Sequence, residues 1–343
     1  MVTELRLPKI MMDSRRKKPT DDPDILHHLF EAYYQSGVSS PDDEFVSKHW
    51  MEERRLLKAV KDGNNSPIPS SEFNWGCKWT SLSKRILDLC ETLAHLMILP
   101  NKFKLVRISA TARRVTNRMG LDLTFTVFRQ VCSLELILQH LPDYLREKRV
   151  NILVIGDGAG VISALLKAEF PDSTIALVDI GKTLFYQSYH MQKAYPNLRH
   201  KMSGDAANPE DADFAFCATE RLNDLNDYRF DLAINIASMQ EMSPATIERY
   251  FRFLRTNLNK TNLFYCFNRE RKSLGDGVET EFLDYPWDEG DEYLVDEYCP
   301  WPVFFIGRLA TPNRPRLLGV GIPFIKYYDG KFRHRLAVMN TNT

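Results

Sequence analysis

The feature that most limits what this 343-residue chain can fold into is an apolar run that ends in closely spaced glycines. Val150 to Ile155, broken only by Asn151, leads directly into Gly156-Asp157-Gly158-Ala159-Gly160. The run reads as a buried strand. Val161 to Phe170, which follows, reads as a helix. A strand that turns through glycines into a helix lets a ligand approach the backbone at the strand's carboxyl end, where the helix also presents unpaired N–H groups. The alternation continues downstream, with strands expected at Ser173–Val178, Asp231–Ile236 and Asn262–Phe267 and helices at Thr183–Tyr195 and Pro244–Leu258. Strands alternating with helices predict an α/β fold: a Rossmann-like parallel sheet with helices on both faces.

The glycine spacing separates ligand classes. A dinucleotide fingerprint would place glycines at 156, 158 and 161. Position 161 is Val161, and the third glycine falls at Gly160. A second element supports a nucleoside-like ligand. Thr174 to Val178 is apolar and ends in Asp179, followed by Ile180. A carboxylate at the end of the second strand is placed to accept hydrogen bonds from ribose hydroxyls. A third element, Ser203-Gly204-Asp205-Ala206-Ala207, falls where the third strand is expected to end. The fourth is the strand carrying Asn235, which leads into Ala237-Ser238-Met239-Gln240-Glu241-Met242.

These elements resemble a family. Gly-x-Gly-x-Gly after a strand is similar to motif I of class I S-adenosylmethionine-dependent methyltransferases. Val154 to Gly160, Asn235 with Ser238 to Met242, Phe267-Asn268-Arg269 and Tyr285-Pro286-Trp287 together resemble the sugar O-methyltransferase family, over roughly residues 110–340. The resemblance implies S-adenosylmethionine as cofactor. Gly156, Asp157, Gly158 and Gly160 would then lie against its methionine part, and Asp179 and Ile180 against the ribose. Asp205 and Ala206 would bind the adenine, and Asn235 would help to orient cofactor or acceptor. The resemblance also places Arg129 and Gln130 near the cofactor carboxylate, although the apolar residues around them equally suit core packing. One departure stands out. Many such enzymes carry an acid two residues before the first glycine, where this chain has Val154; Asp157 is the nearest substitute.

Transfer of a methyl group to a hydroxyl needs an oriented acceptor and removal of its proton. Glu241 is the candidate base, with Gln240 beside it; Glu241 also reads as an acid near the start of the helix that opens at Pro244. Asn268 and Arg269 are candidate acceptor contacts, Arg269 being suited to a carboxylate or phosphate. Tyr285 and Trp287, in the carboxylate- and aromatic-rich stretch from Asp284 to Trp301, read either as a sugar platform or as packing. Those carboxylates are of the type that binds Mg²⁺, but no ligand spacing calls for the ion. His190 is expected to face solvent, and His27 and His28 to be structural. The acceptor is expected to be a sugar or glycoconjugate. A non-sugar small molecule and a non-catalytic nucleotide-binding Rossmann module are the alternatives.

The rest of the chain bounds these readings. Lysine plus arginine equal aspartate plus glutamate at 45 each, so no global basic field points to nucleic acid. None of the six cysteines forms a Cys-x-x-Cys pair, which leaves a thiolate metal site without support. No apolar run is long enough to span a bilayer, and no secretory h-region is present; a cytoplasmic protein is expected. Residues 1–22 read as a flexible arm. Residues 23–145 read as helical, with stripes at Ile25, Leu26, Leu29 and Phe30, a helix over Asp42–Val60, and a stripe of Leu82, Ile86, Leu87, Leu89, Leu93 and Met97. A helix pair is expected between Thr111 and Leu141. Residues 146–343 form the Rossmann-like domain, with an acceptor-binding insertion at about 270–310.

Overall fold

The structure, a computed structural model, describes residues 60–61, 67–68, 77–99, 102–146, 148–202, 212–274, 277–306, 316–317, 319–321, 325–327 and 330–341. The expected arm, the helices over 23–59 and the Ser203 to Ala207 turn lie outside these residues. Val60–Lys61, expected at the end of a helix, pairs antiparallel with Pro67–Ile68.

Three long helices precede the sheet: α1 (Leu82–Ile98), α2 (Lys102–Met119) and α3 (Phe125–His140). The single turn α4 (Asp143–Arg146) leads on to it. The main sheet contains β1 (Asn151–Ile155), β2 (Thr174–Asp179), β3 (His200–Met202), β4 (Phe214–Ala218), β5 (Phe230–Ile236), β6 (Leu258–Arg269), β7 (Glu292–Tyr298) and β8 (Phe332–Val338). Between them run α5 (Val161–Glu169), α6 (Gly181–Ala194) and α7 (Pro244–Asn257). Across the sheet the order is β7-β8-β6-β5-β1-β2-β4-β3. The six strands from β6 to β3 are parallel, whereas β8 and then β7 pair antiparallel at the other edge. The expected strands and helices from residue 150 to 269 are present. The sequence reading missed β4, β7 and β8, and β7 lies within the stretch read as an insertion.

Side chains alternate along each strand, so the sheet has two buried faces. Ile152, Val154, Ile175, Leu177, Phe214 and Phe216 pack with α2, α3, α5 and α6. Leu153, Ile155, Ala176, Val178, Phe264 and Cys266 pack with Tyr250, Phe251 and Leu254 of α7. Coverage on both faces explains why these strands read as continuous apolar runs. In register, Ile155 lies beside Val178 of β2 and Asn235 of β5. The carboxyl ends of three strands therefore converge where the chain switches from one side of β1 to the other, the place such sheets leave open for ligands.

Candidate active site

The glycine loop is shaped by the protein's own packing as well as by space for a ligand. Gly156, Gly158 and Gly160 have φ of 71°, 63° and 83°, a region L side chains rarely adopt. A Cβ on Gly156 would meet Ser238 Oγ at 2.1 Å, and one on Gly160 would meet Met191 Cε at 2.7 Å. Close approach of the β5 turn thus requires glycine at 156, whereas at 160 the contact is with the flexible end of Met191 and the positive φ makes the demand. Asp157 turns into the helix: its carboxylate accepts the N–H groups of Ile162 (3.2 Å) and Ser163 (2.9 Å), at the start of α5. Burial pushes its pKa up to about 7, against those hydrogen bonds. This carboxylate, which the sequence offered as the nearest substitute for the acid absent at Val154, is engaged with the start of α5.

His190 corrects an expectation. It is buried on α6, and its Nδ1–H donates to Ala159 O at 2.9 Å, which holds the loop from behind. Burial lowers its pKa to about 4, so at neutral pH the imidazole is uncharged.

Asp179 closes the opposite wall. Its carboxylate accepts from Ile180 N (2.8 Å), Gln187 Nε2 (2.6 Å) and, at longer range, Gly158 N (3.4 Å). Burial raises its pKa to about 7, opposed by these bonds and reinforced by Asp157. Asp179, Ile180, Asp157, Gly156 and Gly158 all line one cavity of about 390 Å³, within the range of about 300–1,000 Å³ usual for small-molecule sites.

The strand beside β2 is β4, which ends at Ala218; the next residue, Thr219, lines the cavity and shares a 3.0 Å hydrogen bond with Tyr250 OH. The sequence reading had assigned the third-strand end to Asp205 and Ala206. Those residues lie outside the described part, after the edge strand β3. The available signal was the apolar run Phe214-Ala215-Phe216-Cys217-Ala218 ending in Thr219.

The turn after β5 is a polar network. Asn235 is fully buried: its Nδ2 donates to Ile155 O (2.9 Å), and its Oδ1 accepts from Asn268 Nδ2 (2.8 Å) and Met239 N (3.3 Å). Asn268 Oδ1 accepts from Gln240 N (3.0 Å), and Gln240 Oε1 accepts from Arg269 N (2.8 Å). Asn235 and Asn268, expected at the cofactor and the acceptor, are instead the supports beneath the floor. A strand-end asparagine can satisfy buried backbone groups as well as a ligand, and here the backbone takes it. Gln240, Glu241 and Arg269 do line the cavity. Ser243 caps α7, accepting from Thr246 N at 3.2 Å, so Glu241 lies outside the capping turn. Ala237, with φ of 58°, is the non-glycine residue of positive φ in this turn.

Tyr285 and Trp287 are not at the cavity. They join Phe251, Phe264 and Phe282 in an aromatic group of edge-on and tilted pairs beneath α7, and Trp287 Nε1 donates to Phe282 O at 3.2 Å. Nearby carboxylates are also committed: Asp291 binds Arg255 through two contacts of 2.8 and 3.0 Å, and Asp296 binds Arg333 and Arg335. Among the described residues no group of three or more His, Cys, Asp and Glu is arranged to hold a metal.

On the α3 side, Thr126, Arg129 and Gln130 line the cavity. Arg129 Nε, Gln130 Oε1 and Thr183 Oγ1 are buried and have no hydrogen-bond partner among the described residues. Unpaired polar atoms on residues that line a cavity are groups that a polar ligand bound there can satisfy. Phe332 of β8 completes the far wall, with the Arg269 guanidinium 5.5 Å above its ring.

No family model matches this chain, and no curated protein matches it. Among solved structures it is similar to an S-adenosylmethionine-dependent methyltransferase from Leishmania major, at 11% identity over 87% of this chain and 98% of that one, TM-score 0.38. It is also similar to a TehB-like S-adenosylmethionine-dependent methyltransferase from Corynebacterium glutamicum, at 15% identity over 60% and 86%, TM-score 0.35. A third, the PH0226 protein from Pyrococcus horikoshii, is 13% identical over 61% and 89%, TM-score 0.36. At these scores the likeness carries no chemistry.

Proposed function

We propose that this chain is an S-adenosylmethionine-dependent O-methyltransferase acting on a hydroxyl of a sugar or glycoconjugate. The observation that carries the reading is the convergence on one cavity, at the carboxyl ends of β1 and β2, of Gly156, Asp157 and Gly158, of Asp179, and of Arg129, Gln130 and Thr183, each of which carries an unpaired polar atom. The residues fit the cofactor. Asp179 offers a carboxylate for the ribose hydroxyls, Arg129 a guanidinium for the amino-acid carboxylate, and Thr219 with Tyr250 hydroxyls toward the adenine. When bound, the cofactor supplies a methyl group on a good leaving group. The chain's own task is then to place the acceptor oxygen in line and take its proton. Glu241 is the assigned base, held at the floor by the turn that the Asn235–Asn268–Gln240 network fixes. Arg269, stacked over Phe332, faces the acceptor and suits an acidic or phosphorylated sugar.

One observation favours a second reading. Tyr285 and Trp287 are packed away from the cavity, so they offer the acceptor no platform of the kind carbohydrate sites commonly use, and Phe332, which does line the cavity, is covered by Arg269. A non-sugar hydroxyl compound is the reading this favours.

Titration calorimetry with S-adenosylmethionine, its demethylated product and NAD tests the cofactor. Binding of the first two without NAD is expected, and the reverse would overturn the proposal. Transfer of a labelled methyl group to a panel of neutral sugars, acidic sugars and phenols then separates the acceptors. Labelling of phenols alone would remove the sugar.

A further inference from the structure

Helix α6 begins two residues after Asp179. Its Thr183 lines the cavity. Gln187, one turn further on the same side of the helix, does not. It is fully buried, at 0% exposed, and its Nε2 donates to Asp179 Oδ2 at 2.6 Å. Its Oε1 is buried without a hydrogen-bond partner among the described residues. A buried glutamine with an unpaired oxygen costs the fold more than an apolar side chain of the same size would. Packing therefore does not account for Gln187, whereas its bond to the carboxylate does.

We infer that Gln187 is the positioning residue for Asp179: its amide holds one carboxylate oxygen in the charged form and leaves the remaining lone pairs to the ribose hydroxyls of the cofactor. An ionised carboxylate offers about four lone-pair sites. Ile180 N takes one on Oδ1, and Gln187 Nε2 and Gly158 N take two on Oδ2. One site stays open, and the 3.4 Å contact with Gly158 N is the weakest of the three. Two hydroxyls can therefore bind without displacing Gln187. Without its amide, a carboxylate already penalised by burial and by Asp157 loses its shortest donor. Protonation then competes with the ribose at higher pH. The other titratable groups around Asp179 are Asp157 of the glycine loop, Tyr250 of α7, His190 of α6, and Arg129, Glu241 and Arg269 around the cavity. A change at 187 leaves all of them in place. The ribose part of the inference rests on the cofactor reading above; the hold on the carboxylate does not.

The full-length protein without ligand gives the first test. Carbon-13 NMR of labelled aspartate carboxyls follows Asp179 as the signal missing from Asp179→Asn. In Gln187→Met, which keeps the volume and removes the donor, its titration midpoint is expected to rise by about one pH unit. In the wild type the Gln187 side-chain amide signal is expected to titrate with the Asp179 midpoint, a measurement that needs no variant. Calorimetry with S-adenosylmethionine gives the second test. Gln187→Met is expected to weaken binding by about tenfold at pH 6 and to stay within about twofold of the wild type at pH 8.5, as a one-unit shift in the carboxyl requires. A midpoint that does not move, or an amide signal that ignores the Asp179 titration, overturns the inference. An equal loss of affinity at both pH values overturns it too, because a packing defect acts at any pH. A moved midpoint in a protein that does not bind S-adenosylmethionine supports the hold on Asp179 and overturns the cofactor reading.

Discussion

Three N–H groups already converge on the Asp179 carboxylate, yet burial holds its pKa at about 7 instead of the ordinary 3.8. An acid with a raised pKa binds its proton more tightly in the native state than in the unfolded one. Between pH 3.8 and about 7 the native state therefore carries the extra proton, and the stability of the ligand-free protein falls as pH rises through that window. Ribose hydroxyls need the carboxylate as an acceptor, so cofactor affinity is expected to move the other way and weaken as pH drops through about 7. Asp157, also near 7, contributes the same sign to stability. In Asp179→Asn the pH dependence of affinity should largely vanish, and binding should weaken by on the order of 1.5–3 kcal/mol. Calorimetry between pH 5.5 and 8.5 checks both; an unchanged slope would remove Asp179 from the ribose. Glu241 makes a separate prediction. Because Ser243 and not Glu241 caps α7, Glu241→Gln should reduce turnover by about 10²–10⁴-fold while leaving the melting temperature and cofactor affinity near those of the parent. Turnover close to wild type would move the base elsewhere. At this scale the sequence was partly legible. Gly156, Asp179 and Glu241, chosen from type and position, line the cavity. Asn235 and Asn268 were misplaced because the polarity of a strand-end asparagine does not say whether backbone or ligand satisfies it.

Between elements, the contact of the glycine loop with the turn after β5 decides the shape of the cavity floor. Ser238 Oγ lies where a side chain on residue 156 would begin, and Asn235 Nδ2 donates to both that hydroxyl and Ile155 O. Gly156→Ala is therefore expected to destabilise the protein by more than the roughly 1–3 kcal/mol of ordinary overpacking, because the positive φ adds strain. Adding Ser238→Gly removes the overlap but not the strain, so the double variant should recover only part of the loss. A double-mutant cycle on denaturation midpoints measures this; strict additivity would mean that the two residues do not meet. The glycine spacing was readable because it is local. Its partner, far along the chain, left no local pattern. The same limit explains two other misreadings. Periodicity gave α1 an apolar stripe but could not say that the polar side would face inward, toward Trp79, Phe125 and Phe304. The short strand β3 ending at Met202 took the place expected for the strand beside β2, and β4 was passed over.

For the molecule as a whole, the cavity joins parts that otherwise pack on opposite faces of the sheet. Thr126, Arg129 and Gln130 come from α3 on one face, Thr246 and Tyr250 from α7 on the other, and the β1 and β2 ends lie between them. A ligand that contacts all of these binds only the folded chain and should stabilise it as a unit. At about 100 times its dissociation constant, S-adenosylmethionine should add about 2.7 kcal/mol. For a domain of this size that corresponds to a rise in melting temperature of roughly 5–10 °C. NAD at the same concentration should produce no shift, because Val161 stands where its glycine fingerprint requires a third glycine. Hydrogen exchange gives the more specific result. Amides at the start of α5 and those of α3 around Arg129 should gain protection together on cofactor addition, although they are joined in the ligand-free protein only through the core. The parallel sheet that makes this coupling was legible from the alternation of strands and helices, but the role of α3 was not, since Arg129 and Gln130 lie among apolar residues that suit a core equally well. Protection confined to the glycine loop, with α3 unchanged, would show that Arg129 does not reach the ligand, and its unpaired Nε would need another partner.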